Sequence, residues 1–312
     1  MAFSCILQAR LLRKNPNLQN EPIISVRDLV CRFGEQTVLD GVNVDVLDGE
    51  VLVIMGGSGS GKSTLLRHMI GTFIPDSGTV KVFGQDLAAL NESEMNTVRR
   101  KFGILFQSGA LFNSMSVTDN VALSLREHTD LDPDIIEFIV KIKLEQVGLR
   151  EAAEKFPSQI SGGMKKRAGL ARALALDPKL LFYDEPSAGL DPVTSATIDK
   201  LILDLAKKAG ATSVVVTHEM DSAFVIADRI AMLDKGKMLM VDTREAFEKL
   251  RDWPIEQLDE LDERQQLIRQ FLCGDAEGPL TKRKEESSYA EDLLGIDAPR
   301  LTQGPSIQSS KE

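Results

Sequence analysis

The residues Gly56-Gly57-Ser58-Gly59-Ser60-Gly61-Lys62-Ser63-Thr64 have the spacing of a loop that wraps an anion: Gly, four residues, then Gly-Lys-Ser. The apolar run Val51-Leu52-Val53-Ile54-Met55 leads into them. Glycines let the backbone curl until successive N–H groups point inward. A helix starting near Lys62 adds the positive end of its dipole. Lys62 can then reach the β- and γ-phosphates of a nucleotide, and the Ser63 hydroxyl can ligate Mg2+. The bland alternative is a flexible Gly/Ser turn, which would not require strand, loop, Lys-Ser and helix to coincide.

A phosphate loop alone fits kinases, GTPases or helicases, and five further segments narrow the choice. Leu180-Leu181-Phe182-Tyr183-Asp184-Glu185 is an apolar strand ending in two carboxylates. Ligands of open α/β sheets bind at the carboxyl ends of strands. Asp184 is placed to hold Mg2+ through water, and Glu185 to polarise a water for attack on the γ-phosphate. Ile160-Ser161-Gly162-Gly163-Met164 precedes a helix, with Ser161 as its cap and the glycines exposing N–H groups. This is either an ordinary capped helix or a second anion site. One nucleotide has no need of both loops from one chain, whereas two chains facing each other would use both. Gln107 ends the strand Phe102–Phe106, and its side-chain oxygen could join the Mg2+ shell or simply be a polar strand end. His218 follows the strand Ser213–Thr217, where a neutral imidazole could hold the γ-phosphate and the attacking water, or serve structure alone. Ser187-Ala188-Gly189-Leu190-Asp191 is a turn that could cross to another chain.

The elements that must position these residues alternate. Strands are predicted at Ile23–Val30, Val38–Val46, Val51–Met55, Thr79–Phe83, Phe102–Phe106, Leu180–Tyr183 and Ser213–Val216. A hairpin follows at Arg229–Leu233 and Lys237–Val241, turned at Asp234-Lys235-Gly236. Helices are predicted after Lys62 as far as Gly71, from an Asn91/Glu94 capping box through Arg100, over Pro192–Ala209 and over Met220–Ala227. From about Asn113 to Leu176 the pattern is helical and reads as an insertion into a largely parallel α/β sheet. Residues 1–20 read as a lead-in, and 246–281 as a helical extension. Trp253, Leu258, Leu261, Ile268 and Leu272 could form one apolar face there. From about Lys282 the composition predicts a disordered tail.

The composition, 43% hydrophobic and 27% charged, is that of an ordinary globular chain, and 312 residues leave ample room for a core. A net charge of −10 and few aromatics argue against a nucleic-acid partner. Cys5, Cys31 and Cys273 have no disulfide or metal spacing, which suits a reducing cytosol. No apolar run approaches the roughly 18–20 residues a membrane span needs, so any membrane role would pass through a partner. Lys165-Lys166-Arg167 reads as a solvated helix face.

As an ordered set, Gly56–Thr64, Gln107, Ser161–Met164, Leu180–Glu185, Ser187–Asp191 and His218 resemble the ATP-binding cassette (ABC) ATPase family, over roughly residues 23–245. The resemblance implies a P-loop NTPase fold: a RecA-like α/β core with an antiparallel β subdomain and an inserted helical subdomain. It also implies a head-to-tail homodimer with two ATPs, each bound between one chain's Gly56–Thr64 and the other's Ser161, Gly162, Gly163 and Asp191. By the same resemblance Phe33 would stack on adenine, although it could equally be a core residue. Catalysis would fall to Glu185, His218, Lys62 and Gln107, with Ser63, Gln107 and Asp184 on Mg2+.

One position departs from the family pattern. Met164 stands where Gln usually follows the two glycines, and it cannot replace that polar contact. The Ser-Gly-Gly-Met form, the segment Phe106–Phe112 and Gln270-Phe271-Leu272 with Gly274 and Gly278-Pro279 resemble the branch that serves MCE-type lipid transporters, including the maintenance-of-lipid-asymmetry system. That branch implies an integral membrane permease, an MCE-domain lipid-binding protein and a small regulatory subunit. It implies a peripheral position on the cytoplasmic face of the inner membrane. In the family a permease helix enters a groove beside Gln107, which Ser108–Ser114 would line here. The rival readings are a soluble ABC ATPase without a transport role, an ABC ATPase for a non-lipid cargo, and a small-molecule kinase.

Overall fold

A computed structural model describes residues 22–275 and 278–279, and the chain divides after Glu248 into two compact units. The lead-in 1–20 and the tail from 282 lie outside the described residues.

The first unit is built on a six-stranded sheet of order β10-β9-β3-β8-β7-β6. Its strands are β3 (Val51–Met55), β6 (Phe102–Leu105), β7 (Leu180–Asp184), β8 (Thr212–Val216), β9 (Arg229–Asp234) and β10 (Lys237–Thr243). Every pairing from β9 to β6 is parallel, and β10 closes one edge as the antiparallel arm of a hairpin. All residues of β3 and β8 are buried, because a parallel strand inside such a sheet is covered on both faces. Their uninterrupted apolar sequences follow from that position. In register, Ile54 pairs with Val216, Asp184 with Val216, and Leu105 with Tyr183. The carboxyl ends of β3, β8, β7 and β6 therefore lie along one edge.

A second sheet is antiparallel, of order β2-β1-β4-β5, formed by β1 (Ile24–Phe33), β2 (Gln36–Val46), β4 (Ser77–Val82) and β5 (Gln85–Asp86). Its inward residues, among them Val26, Leu39, Val44 and Val80, join Leu65 and Met69 of α1 (Lys62–Met69) and Leu52 and Ile54 of β3 in one core. The sheet thus clamps α1 and fixes the loop that precedes it. Helix α2 (Glu92–Arg99) starts at the capping box expected from Asn91 and Glu94.

Three helices fill the insertion between β6 and β7: α3 (Val117–His128), α4 (Pro133–Gln146) and α5 (Gly162–Ala173). The helical pattern begins later than Asn113, because Ser116 caps α3 by accepting from the Asp119 N–H at 3.0 Å. Helices α6 (Pro192–Asp204) and α7 (Met220–Ile226) flank β8 in sequence. The expected helix to Ala209 ends as an α-helix at Asp204 and finishes in a wider π-type turn, Leu205–Ala209. β1 runs past its expected end to Phe33, because its bulged pairing with β2 continues to Phe33–Gln36.

The division after Glu248 falls within α8 (Arg244–Arg251). The second unit holds α9 (Glu263–Cys273), started by an Asp262/Gln265 capping box. Leu261, Ile268 and Leu272 are buried, whereas Trp253 and Leu258 are half-buried. Arg269 donates to the Trp253 carbonyl at 3.0 Å. No described helix is long and apolar enough to cross a membrane.

Candidate functional site

The phosphate loop joins the end of β3 to the start of α1. Gly56 has φ 152°, and a Cβ there would run into the Leu233 carbonyl oxygen of β9, so only glycine passes this point. The hairpin turn supports the loop from outside, where the Gly236 N–H donates to the Ser60 carbonyl at 3.0 Å. Ser60 is buried with an unpartnered hydroxyl, while Ser58 and Gly59 are exposed at the tip. Lys62 is buried, and its ammonium donates to the Gly56 and Gly57 carbonyls, both at 2.8 Å. Burial pulls its pKa down, against the opposing pull of Glu185 and Asp184. Thr64 is half-buried in the first turn, and its carbonyl pairs with His68 Nδ1 at 2.8 Å.

Asp184 ends β7. Burial raises its carboxyl pKa and Glu185 adds to the rise, while Arg67, Lys62 and a hydrogen bond from Ser63 oppose it. Its Oδ1 is buried without a partner. An orphaned carboxylate oxygen beside a serine hydroxyl is a hard-oxygen pair of the kind Mg2+ takes. Among the described residues no three His, Cys, Asp or Glu side chains cluster as metal ligands. The two oxygen donors are of the ligand type taken by an ion that is also held by phosphate oxygens. Gln107 stands exposed just beyond β6, on the same sheet edge.

Glu185 has φ 49°, a left-handed conformation unusual for a side chain of its size. Its N–H donates to the Val216 carbonyl at 2.8 Å, which pins the turn to β8. Its Oε2 lies 2.9 Å from His218 Nδ1, and its side chain is 12% exposed against 58% for the histidine. The structure thus brings His218 onto the carboxylate, a contact the sequence pattern does not specify. Phe33 is 52% exposed, which excludes the core alternative. Its ring meets Phe73 edge-on at 5.7 Å, and Arg67 caps Phe73 at 5.4 Å.

Ser161 and Asp191 form a separate group at the starts of α5 and α6. The Ser161 hydroxyl accepts from the Met164 N–H at 3.3 Å. Asp191 accepts from the Val193 and Thr194 N–H groups at 3.1 and 3.0 Å and from the Thr194 hydroxyl, which together hold its pKa below the usual range. Gly162 is exposed and Gly163 buried. Among the described residues the hydrogen bonds of Ser161 stay within its own helix start.

Three side chains near the site escape the sequence pattern. Lys166 is not solvated: it is 5% exposed and donates to the Glu185 and Ala188 carbonyls at 3.1 and 2.7 Å. The fold turns this face of α5 onto the β7 end, overriding the charge run. Arg167 likewise donates to the Val147 and Gly148 carbonyls. Asn120 is fully buried and satisfies the loop after β6, accepting from the Phe112 N–H and donating to the Phe112, Met115 and Ser116 carbonyls. A polar residue on an otherwise apolar helix face was the only available signal.

A phosphate loop after a central parallel strand, with a carboxylate pair ending the next strand but one, defines a P-loop nucleotide-binding core. The ABC transporter family matches residues 39–188. The chain is 40% identical over 272 residues to the intermembrane phospholipid transport ATP-binding protein MlaF of Escherichia coli K12, covering 87% of this chain and 96% of that one. It is 39% identical to the Haemophilus influenzae MlaF, covering 88% and 99%. A probable ribonucleotide transport ATP-binding protein of Mycobacterium leprae is 40% identical, covering 88% and 76%. Among solved structures, a dimeric ATP-binding cassette with bound ADP and phosphate matches at TM-score 0.66 and 30% identity, covering 71% of this chain and 98% of that one. CbiO1 of Clostridium perfringens, part of an ABC transporter complex, matches at TM-score 0.67 and 29% identity, covering 77% and 100%. This chain belongs to the ABC transporter ATP-binding family, and it is an ATPase.

Proposed function

We propose that the chain is the ATP-hydrolysing subunit of a phospholipid transporter, working as a homodimer beneath a separate permease. The observation that carries the cargo is the extent of the likeness. The match takes in 96% and 99% of the two phospholipid transport proteins, whereas a quarter of the ribonucleotide relative lies outside it. It also runs beyond the share of the chain that the solved cassettes cover. An MCE-domain lipid-binding protein and a small regulatory subunit complete the proposed assembly, held at the cytoplasmic face of the inner membrane. Residues 21–245 form the cassette, with its helical insertion at about 113–176, and 246–281 an extension for docking.

In this reading the N–H groups of residues 57–63 cradle the triphosphate, and Phe33 stacks on adenine. Lys62 leaves the Gly56 and Gly57 carbonyls for the β- and γ-phosphates. Ser63, Asp184 and Gln107 hold Mg2+, which when bound neutralises charge on those phosphates. Glu185 takes a proton from the attacking water, and His218 keeps the carboxylate aimed. Ser161, Gly162 and Gly163 of the opposite copy donate to the γ-phosphate, with that copy's Asp191 bracing them. Closure of the two copies and their reopening after hydrolysis pass motion to the permease, through the groove whose wall Asn120 fixes.

Reconstitution tests the cargo. The chain co-purified with its permease is placed in vesicles, and ATP-dependent transfer of a fluorescent phospholipid is followed beside uptake of a labelled ribonucleotide. Phospholipid transfer that Glu185→Gln abolishes supports the proposal. Ribonucleotide uptake without phospholipid movement overturns it.

A further inference from the structure

Lys166 is an ammonium buried almost completely in α5, and among the described residues no carboxylate lies within ion-pair distance of it. Burial lowers its pKa, and only the more distant Glu219 and Glu185 oppose the shift. A buried cation satisfied by carbonyls alone is costly to keep. The carbonyls it binds are those of Glu185 and Ala188, the two ends of the turn that leaves β7. That turn begins at the left-handed Glu185, a conformation that persists only where its surroundings impose it. The Val216 carbonyl holds the N–H side of Glu185 and Lys166 the carbonyl side.

The same helix begins at Ser161. A Cβ on Gly163 would collide with Thr194 Cγ2 of α6, and one on Gly162 would touch Leu190 at 4.0 Å. The start of α5 is thus packed closely on α6 at Gly163 and lies in ordinary contact range of the turn at Leu190, with Lys166 as the polar tie between α5 and the turn. The Lys166 ammonium therefore links the helix that starts at Ser161 to the turn that carries Glu185.

We propose that Lys166 is a positioning residue that couples the two nucleotide sites: a triphosphate seated by the opposite copy on Ser161–Gly163 is felt, through Lys166, at this chain's own Glu185. The inference rests on the two-copy reading above.

Lys166→Met keeps the length and apolar stem of the side chain and removes its donors. Turnover per ATP-binding site, counted by calorimetry, is expected to fall about 10- to 100-fold, as for a misplaced reacting group, while KM for ATP changes by less than about threefold. The Hill coefficient for ATP should fall towards one. In a Glu185→Gln background Lys166→Met should lower turnover no further. Wild-type turnover per site with an unchanged Hill coefficient would overturn the proposal and leave Lys166 a structural lysine. If the methionine variant does not fold, Lys166→Gln takes its place: an intermediate loss supports the coupling, and no loss overturns it. Glu185→Gln alone separates the two ideas. Retained turnover there sinks the catalytic reading and the coupling together, whereas a dead Glu185→Gln beside an unaffected Lys166→Met sinks the coupling alone.

Discussion

Glu185→Gln removes a basic oxygen and a charge while leaving side-chain length almost unchanged. The backbone turn does not depend on that charge, since it is held by the Val216 carbonyl at 2.8 Å and by Lys166 at 3.1 Å. The side-chain contact also survives, because an amide oxygen accepts from His218 Nδ1 as a carboxylate does. Loss of the charge removes one of the two pressures that raise the Asp184 pKa, so the neighbouring carboxylate ionises more readily. ATP affinity should accordingly be kept or rise. What disappears is acceptance of a proton from water. Loss of a general base costs about 100- to 10,000-fold in rate, equivalent to about 2.7–5.4 kcal/mol at about 1.36 kcal/mol per tenfold. The assay is phosphate release at saturating ATP, normalised to nucleotide sites titrated by calorimetry. Turnover within a factor of two of wild type would refute the assignment and leave His218 as the candidate base.

Lys62→Ala should weaken ATP binding itself, since the ammonium is the one cation inside the loop that can move from the Gly56 and Gly57 carbonyls to a phosphate; an unchanged dissociation constant by calorimetry would refute that role. Asp184→Asn should raise the thermal midpoint of the nucleotide-free chain at neutral pH. The folded chain holds this carboxyl above its ordinary range, chiefly through burial, so the stability it contributes is full below the unfolded value and is lost as pH rises through the folded one. The gain should shrink as pH falls towards the unfolded value of about 4, and Mg2+ with ATP should stabilise wild type more than the variant. Equal midpoints for the two chains at all pH values would contradict the orphaned oxygen's role.

The parts of this site legible in the sequence are those that act locally. Val51–Met55 reads as a buried strand because it has no polar residue, and the loop after it is defined by residue spacing alone. Asp184 and Glu185 are legible because they stop an apolar run, and the capping boxes because a cap and its partner are only a few residues apart. What stayed hidden depends on side chains meeting across the fold. Lys166 sits in a charge run typical of solvent, and only the approach of α5 to the end of β7 turns it inward. The His218–Glu185 contact needs β8 beside β7, and Asn120 needs a loop returning over the start of α3. Phe33 is ambiguous in sequence between a core residue and an exposed one, and its place at the far end of β1, against Phe73, decides between them.

Glu185 shows why the local motif is insufficient. Its backbone occupies a conformation that costs a non-glycine residue about 1–2 kcal/mol, and its carboxylate sits beside that of Asp184, whose pKa it raises. Neither circumstance favours a carboxylate at this point, and neither would persist on an isolated strand. Three elements offset them: β8 through the Val216 carbonyl, the segment after β8 through His218, and α5 through Lys166. The first belongs to the sheet that carries the phosphate loop, the second to the loop that leaves it, and the third to the helix that would meet another copy's nucleotide in the proposed dimer. On the proposed two-copy reading, a residue restrained from both sides is suited to respond to the second copy, because only the α5 restraint, on its backbone carbonyl, would be connected to that copy. Constraint at Glu185 is thus a property of how the insertion sits on the sheet, and variants of α5 remote from the phosphate loop should alter rate before they alter ATP affinity.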